Sequence, residues 1–490
     1  MSIDLSTKGI SETNAVFQPM LRDLQANILK GHGRNFAHHI FIKLDHHKAD
    51  QAKRWIKEFA TMKITSAFKQ LDTRNAFKTS GVDGGPVFLL SLAASAYKKL
   101  GVPAASMPGD PSFQAGMKAS KDLLADEPGK WEAPFTDSVD MMIIAADDDH
   151  RKAARLAEEI IADVKHFATE VKEEKGKGLR MTLPSGDDIV IEHFGYADGV
   201  SQPLYLLDDI AVQSGNKVWQ DAEPLSLVLI PDPGGKTPDS FGSYFVFRKL
   251  EQNVLEFKKN EGDAPGGTGK DSPLPRIKDG TGANNDDLPG AMIVGRFENG
   301  TPVVTSNGQA ATTITKEADL LPNDFDYRGD AHGSSSNGSK CPFHAHVRIT
   351  NPRADVGDFA HKVRVTRRGI PFDDVNRFGK GHEFDIIVSD KQLDDHRPEK
   401  GVGLLFMCYQ ADIGSQFEFI QSLWVNQGDV NNKMVGQDGI IGQGPNTTPK
   451  TLPAQWGQAS PANKMQFGGH VTMKGGEYFF TPSIGFLKAL

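Results

Sequence analysis

The sequence predicts an α+β protein in which helices pack on one face of an antiparallel sheet. Strand-like and helix-like segments alternate through the first 200 residues, and the second half has a similar mixture. The chain has 490 residues, of which 38% are hydrophobic, which is ample for a core. Two similar-sized units and one large composite domain both fit this length. The halves share no sequence repeat, so a structural duplication is only a hypothesis.

Apolar periodicity defines the elements of the N-terminal half. Leu156, Ile160 and Val164 form the apolar stripe of the clearest helix, predicted over 151–167. A nearly continuous apolar run over 139–145 is typical of a central strand. The remaining predictions are helices over 22–30, 49–62 and 92–100, and strands over 39–44, 87–90 and 189–194. Residues 1–20 are expected to form a loose arm.

The C-terminal half has the same kinds of segment, separated by two stretches rich in turn-forming residues. A long surface loop is expected over 259–290, where Gly, Pro, Asp and Asn dominate, and a flexible stretch over 330–339. The predicted elements are strands over 244–248, 291–296, 345–350, 363–366, 383–388 and 404–409, and helices over 414–425 and 484–490.

Composition excludes several classes of protein. The net charge of −8, from 55 basic and 63 acidic residues, gives no footprint for nucleic acid or an anionic membrane. No run approaches the length of a membrane span, and the polar N-terminus does not resemble a signal peptide. The two cysteines rule out a disulfide scaffold and suit a reduced setting, although they could still pair. A cytoplasmic protein is therefore expected.

Asp198 stands out because it lies between two glycines just after a strand-like run. Gly195 and Gly199 allow either a tight turn or the close approach of the backbone to a flat ligand. The alternative is a turn aspartate that bonds to its own backbone. The short Gly-x-x-Asp-Gly pattern does not decide between these readings.

His346 lies in a segment with strand-like composition, where a ring nitrogen can face a pocket. The alternative is a hydrogen-bonded histidine in the core. His344 would share the same face of a strand, so it is a rival ligand. The sequence has no His-Glu-x-x-His or Cys-x-x-Cys pattern, which argues against a zinc enzyme.

Two further segments carry charged residues next to predicted strands. Arg367 and Arg368 are adjacent, so on a strand one would enter a pocket while the other faces solvent, unless both are surface charges. Asp412 follows the buried strand over 404–409. Its carboxylate either orients a histidine in the core or caps the helix predicted over 414–425.

In combination, these segments resemble the dye-decolourising peroxidases, in particular the larger class with long insertions. The resemblance runs from about residue 22 to the C-terminus and is specific only as a whole. The segments that carry it are 194–203, 341–348 and 367–371, with 24–29, 242–253, 294–296, 299–302 and 416–421 in support.

The resemblance implies two ferredoxin-like halves, each an antiparallel sheet with peripheral helices. After the arm over 1–20, the first half would span 21–210 and carry the distal acid. The second would span 211–490, carry the haem ligand and the distal arginine, and include the insertion over 259–290. One haem b per chain would lie in the C-terminal half.

The resemblance also implies a role for each site residue. His346 matches the proximal ligand of the haem iron, and Asp198 and Arg367 match the distal acid and arginine, with Arg368 as the second choice. Asp412 looks like the acid that binds the second N–H of the histidine. The other implied haem contacts are Leu404, Phe406, Gly199, Gln202 and Arg348.

The function implied is reduction of hydrogen peroxide with oxidation of dyes, phenols or other aromatic donors. Neither a nucleic acid nor a membrane partner is expected, and monomer and dimer both stay open. The alternative is a haem carrier or a deferrochelatase-like protein that uses His346 without turning over peroxide. Simple carriage would need no distal acid and arginine, which argues against it. A haem-free hydrolase has no supporting motif.

Overall fold

The computed structural model describes residues 3–213, 222–262, 274–308, 323, 325, 327 and 335–490. The strands in these ranges are β1 (Phe36–Leu44), β2 (Val87–Leu92), β3 (Met141–Asp147), β4 (Ala168–Lys177), β5 (Arg180–Thr182), β6 (Asp188–Val190), β7 (Ile230–Pro231), β8 (Phe241–Gln252), β9 (Ile277–Lys278), β10 (Asn284–Asn285), β11 (Thr366–Arg367), β12 (Ile370–Asp373), β13 (Ile387–Val388), β14 (Val402–Gln410), β15 (Asp429–Val430), β16 (Lys433–Met434), β17 (Lys450–Gln455), β18 (Gln458–Met465) and β19 (Val471–Thr481). The helices are α1 (Gln18–Asp23), α2 (Ala49–Met62), α3 (Ala67–Ser80), α4 (Ala94–Lys99), α5 (Pro111–Ala115), α6 (Lys121–Leu124), α7 (His150–Val164), α8 (Leu207–Gln213), α9 (Val254–Glu261), α10 (Leu288–Val294), α11 (His346–Thr350), α12 (Phe359–Val363), α13 (Asp390–Asp395) and α14 (Ile484–Lys488), with two π-helical segments, Ile413–Glu418 and Ile420–Asn426.

One antiparallel sheet dominates the described residues and confirms the α+β class. Its ten strands include the series β11–β14–β8–β19–β2–β3–β1–β4, with β12 paired to β14 and β7 paired to β8. Strands from the N-terminal half of the chain form one end of this series, and strands from the C-terminal half form the other end. They meet where Phe480 of β19 pairs with Leu92 of β2. The boundary between residues 210 and 211 stays a prediction.

Two amphipathic helices confirm the predictions that rest on a regular apolar periodicity. Helix α2 has the predicted bounds and buries Ile56 and Phe59. Helix α7 buries Leu156 and Ile160 and packs on β1 and β3. Asp149 starts α7 by accepting a hydrogen bond from the N–H of Arg151 at 2.8 Å. None of the helices in the described ranges is long and apolar enough to cross a membrane.

Short segments were predicted less well. Residues 291–296 and 345–350, expected as strands, lie largely in α10 and α11. Helix α11 has only five residues, too few for the apolar spacing to separate a helix from a strand. The helix expected over 22–30 is wrong, because α1 ends at Asp23. The strands over 363–366 and 383–388 shrink to β11 and β13, and α3 and β4 were not predicted.

The N-terminal segment is packed rather than loose. Ile10 is buried, and its N–H donates to the carbonyl of Tyr205 at 2.8 Å. Lys8 forms a bridge with Pro224. The expectation of a loose arm was wrong. The few apolar residues of this segment are irregularly spaced, so they give no periodic pattern in the sequence. Each of them can nevertheless fill a gap in a neighbouring surface.

The predicted loop insertion is only partly described. Of residues 259–290, residues 263–273 lie outside the described ranges, and the rest holds the end of α9, β9, β10 and the start of α10. Of the stretch over 330–339, residues 330–334 also lie outside them.

A buried ion pair on β8 gives the first prediction. Arg248 donates to both carboxylate oxygens of Asp126, at 2.8 and 2.6 Å, and its side chain is 2% exposed. We expect Asp126→Asn to lower the free energy of unfolding by about 3–5 kcal/mol, because it leaves a buried guanidinium without its counter-charge. Denaturant unfolding measures this change.

The control is the exposed pair of Arg155 and Glu159 on α7, whose side chains are 69% and 56% exposed. Glu159→Gln should change the free energy of unfolding by less than about 0.5 kcal/mol. Equal effects of the two substitutions would contradict the role given to burial.

Candidate active site

A cavity brings together most of the residues singled out in the sequence. It is bounded by the turn that follows β6, by β11 and β14, by α11 and by the π-helical segments. Its lining includes Asp198 together with His346 and Arg367, which both lie far from Asp198 in the chain. Leu404, Phe406 and Gly199 line it as well.

A tight turn presents Asp198 to the cavity. Gly195 and Gly199 have φ angles of +97° and +74°, which other residues rarely adopt. The N–H of Asp198 donates to the carbonyl of Val190 at 3.0 Å, and Ala197 forms a bridge with Ile191. The acid is therefore held by backbone bonds on both sides of the turn.

Asp198 and Arg367 form an ion pair inside the cavity. The Nη2 atom of Arg367 lies 2.5 Å from Oδ1 of Asp198, and the two side chains are 28% and 20% exposed. Burial alone would raise the pKa of Asp198, but the charge and hydrogen bond of Arg367 outweigh it and lower that pKa. The carboxylate is thus held ionised.

The adjacent arginine faces the other way, as alternation along a strand requires. Arg368 donates from Nε to the carbonyl of Asn27 at 2.6 Å and from Nη2 to that of Ile28 at 2.8 Å. It does not line the cavity. Among the described residues, Nε of Arg367 is buried and lacks a hydrogen-bond partner.

His346 begins α11 and is backed by a buried carboxylate. Its Nδ1 lies 2.9 Å from Oδ2 of Asp438, whose Oδ1 accepts hydrogen bonds from the N–H groups of Ile440 and Ile441, both at 2.7 Å. Burial would raise the pKa of Asp438, but His346 and these N–H groups lower it. With Nδ1 donating to Asp438, Nε2 is the nitrogen with a free lone pair.

The partner predicted for this histidine was wrong. Asp412 is exposed and accepts a hydrogen bond from the N–H of Ser415 at 2.6 Å, so it caps the π-helical segment that follows β14. The helix-cap reading, left open by the sequence, is the one observed. Asp438 lies in a turn 92 residues after His346, where no motif marked it.

His344 does not share the cavity with His346. It is buried, its Nε2 lies 3.2 Å from the carbonyl of Thr451, and it lines a different cavity. Because His346 begins a helix, His344 and His346 do not lie on one face of a strand, which was the reason for treating both as possible ligands. The structure therefore leaves His346 as the histidine that lines the site.

Two of the implied haem contacts lie elsewhere. Gln202 does not line the cavity but helps to position the backbone of Arg367, because its Oε1 accepts a hydrogen bond from the N–H of Arg367 at 2.9 Å. Arg348 is directed away and pairs with Asp355 at 2.7 and 2.9 Å. Its buried guanidinium needs a carboxylate, and Asp355, further along the same stretch of chain, supplies it.

Sequence reasoning missed three other arginines that line the cavity. Arg353 and Arg364 lie in segments without a recognisable pattern, and Arg296 lies in a segment that supported the resemblance without a role of its own. Each of the three is anchored by neighbouring oxygens. Arg353 donates to the hydroxyl of Ser201 at 2.9 Å, Arg364 to Glu223 at 2.6 Å and Arg296 to the carbonyl of Gly300 at 2.8 Å.

These residues fit the haem that the sequence resemblance implies. An imidazole with one free nitrogen can hold iron, and its carboxylate partner makes it a stronger donor. Guanidinium groups suit the propionates of haem. The macrocycle requires apolar walls, and most of the remaining lining is apolar, including Leu250, Val294, Leu404, Phe406 and Phe417.

The cavity thus contains the groups that a haem enzyme acting on peroxide would need. An acid held ionised by an arginine can move a proton, and the backed histidine is suited to oxidised iron. Comparison with known proteins then narrows the class.

A family model described as the DyP dimeric alpha+beta barrel domain matches residues 23–179. The multifunctional dye peroxidase DyP2 of Amycolatopsis sp. is 37% identical over an alignment of 509 residues that covers 100% of both chains. The solved DyP-type peroxidase of Anabaena sp. has a TM-score of 0.83 at 34% identity, covering 99% of this chain and 98% of that one. A dye-decolorizing peroxidase solved in complex with 2,6-dimethoxyphenol has a TM-score of 0.73 at 25% identity, covering 96% and 98%.

The chain therefore belongs to the dye-decolourising peroxidases, a family of haem enzymes. It is a peroxidase, as the resemblance implied. The alternative of a haem carrier without peroxide turnover is not favoured.

The hydrogen bond between His346 and Asp438 gives the second prediction. Asp438→Asn should raise the reduction potential of bound iron, because the imidazole loses the negative charge behind it. Cofactor affinity or activity should fall about 10–100-fold. Spectroelectrochemical titration measures the potential.

Asp412→Ala is the matched control. It should cost about 1 kcal/mol of stability through the lost cap and leave the potential unchanged. A shift in potential for Asp412→Ala, with none for Asp438→Asn, would restore the original assignment.

Proposed function

We propose that the chain binds one haem b per molecule in this cavity and uses it to reduce hydrogen peroxide and oxidise dyes, phenols or other aromatic donors. The observation that carries the proposal is the Asp198–Arg367 ion pair in the same cavity as the carboxylate-backed His346. Simple binding of haem would need no such pair. The relatives named for dye oxidation support the donor class.

His346 would hold the iron through Nε2 while Asp438 fixes the ring. Because Asp438 accepts a hydrogen bond from the Nδ1–H of His346, the imidazole would gain imidazolate character and would stabilise oxidised iron. Arg353, Arg364 and Arg296 are the candidates for binding the propionates. Each already has an oxygen partner, so its side chain is preset before a ligand arrives.

Asp198 is the proposed proton carrier. When bound, haem supplies the iron at which the O–O bond of peroxide is cleaved. The carboxylate of Asp198 takes the proton from one peroxide oxygen and returns it to the other, directly or through a water molecule. It can begin only if it is ionised, which the lowered pKa provides.

Arg367 has two proposed tasks. Its charge keeps Asp198 ionised, and its unpartnered Nε–H can stabilise negative charge that develops on the departing oxygen. The two tasks use different atoms of one guanidinium, since Nη2 already binds Asp198.

We also propose that the protein works in the cytoplasm. Cys341 and Cys408 are both buried and free, which suits a reducing compartment.

The ligand assignment gives the third prediction. His346→Ala should lose haem or bind it with a grossly altered Soret spectrum, because no other histidine lines the described part of the cavity. His344→Ala should keep the spectrum. Absorption spectra of both variants, purified with added haem, measure this. The reverse pattern would transfer the role to His344.

The ion pair gives the fourth prediction. Arg367→Leu should slow the reaction with peroxide about 10²–10³-fold while haem binding changes little. The acid limb of the rate profile should also move to higher pH, because burial raises the pKa of Asp198 and the main opposing charge is then gone. Stopped-flow absorbance across a pH series measures both effects.

Arg367→Lys is the control that keeps a positive charge. It should leave the acid limb closer to that of the native protein than Arg367→Leu does. Near-normal peroxide kinetics in Arg367→Leu would remove Arg367 from the mechanism.

A further inference from the structure

A second acid, Glu192, lines the cavity beside Asp198 and has no role in the proposed proton transfer. It is one of the lining residues and lies at the start of the turn that presents Asp198. Its Oε2 accepts hydrogen bonds from the N–H of Phe194 at 2.9 Å and from the amide of Gln252, and its Oε1 accepts one from the N–H of Tyr196 at 3.1 Å.

The carboxyl group fills the inside of this turn. The backbone of Glu192 also bonds twice within it, to the carbonyl of Tyr196 at 3.1 Å and from the N–H of Gly195 at 2.9 Å. Gln252 is the last residue of β8. Glu192 therefore couples the turn, and Asp198 at its far end, to the central sheet.

The surroundings of Glu192 make its charge sensitive to pH. Burial raises its pKa to about 7, and Asp198 adds to that rise, while the three hydrogen bonds oppose it. Next to it in the chain, His193 is neutral because burial holds its pKa well below 6.5. The other ionisable groups that act on Glu192 include Asp198 and Tyr196 from its own turn, Arg367 from β11, and Arg377 from the segment after β12.

We propose that Glu192 is a positioning residue of the distal site: its carboxyl group sets the position of Asp198, and its change of charge controls how strongly the cavity holds anions. This inference rests on the proposed roles of Asp198 and Arg367. When Glu192 is neutral, the positive charge of Arg367 is offset only by the carboxylate of Asp198. When Glu192 is ionised, a second negative charge competes for the same guanidinium, and an incoming anion meets a less positive cavity.

The first test is the affinity of the haem-loaded protein for azide across a pH series. In the native protein the affinity should fall at least about threefold through an inflection near the pKa of Glu192. In Glu192→Gln, which is neutral at every pH, this inflection should be absent. An inflection of the same size and position in the variant would overturn the proposal.

Glu477 offers a matched control. It is also a buried acid with a raised pKa, and it accepts hydrogen bonds from the N–H groups of Met117 and Tyr478 at 2.9 and 2.8 Å, but it does not line the cavity. Glu477→Gln should keep the azide inflection. Its loss there would show that any buried carboxyl matters, which contradicts the proposal.

A second measurement needs no haem. Infrared difference spectra of the cofactor-free protein between about pH 6 and about pH 8 should show loss of a protonated carboxyl band. This band should be missing in Glu192→Gln and present in Glu477→Gln. Persistence of the complete band in Glu192→Gln would assign it to another acid.

If Glu192→Gln fails to fold, Gln252→Leu replaces it. That change removes a hydrogen bond that favours the ionised form, so the azide inflection should move to higher pH. An unmoved inflection would overturn the proposal. Normal peroxide kinetics in Asp198→Asn would instead defeat the proposed function, whatever Glu192 does.

Discussion

The ion pair between Asp198 and Arg367 is the interaction on which the cavity depends. It joins a turn of the first half to a strand of the second, across 169 residues of chain. Neither charge would be stable in this partly buried place alone, because desolvation would not be offset. The pair forms only when both halves dock correctly. The geometry of the site therefore depends on how these two segments pack together.

Local sequence was sufficient wherever a single segment determines the outcome. Helix α2 and the strand containing Phe406 have regular apolar patterns over many residues, and both were predicted. Asp198 and Arg367 stand in distinctive local contexts, and the structure brings them to one cavity with His346. Their spacing in the chain carried no distance information; the resemblance to a family did.

Sequence reasoning failed where a partner is chosen by tertiary packing. Asp412 and Asp438 are both aspartates next to a turn, and only the folded chain shows that Asp438 lies beside His346 while Asp412 caps a helix. Arg348 shares the segment of His346, yet its charge is balanced by Asp355 outside the cavity. A five-residue helix such as α11 has no period to detect.

Arg367, the last residue of β11, and Arg368, which follows it, also determine which strand register is functional. Both have the same chemistry, so a slip of β11 by one residue against β14 would still place a guanidinium in the cavity. The native register is distinguished by Arg368, which finds the carbonyls of Asn27 and Ile28 on the opposite face. The carbonyls of Asn27 and Ile28 thus help to fix the register of a strand more than three hundred residues away. A chain without Asn27 and Ile28 would retain every proposed catalytic side chain and lose this one constraint on the register of β11.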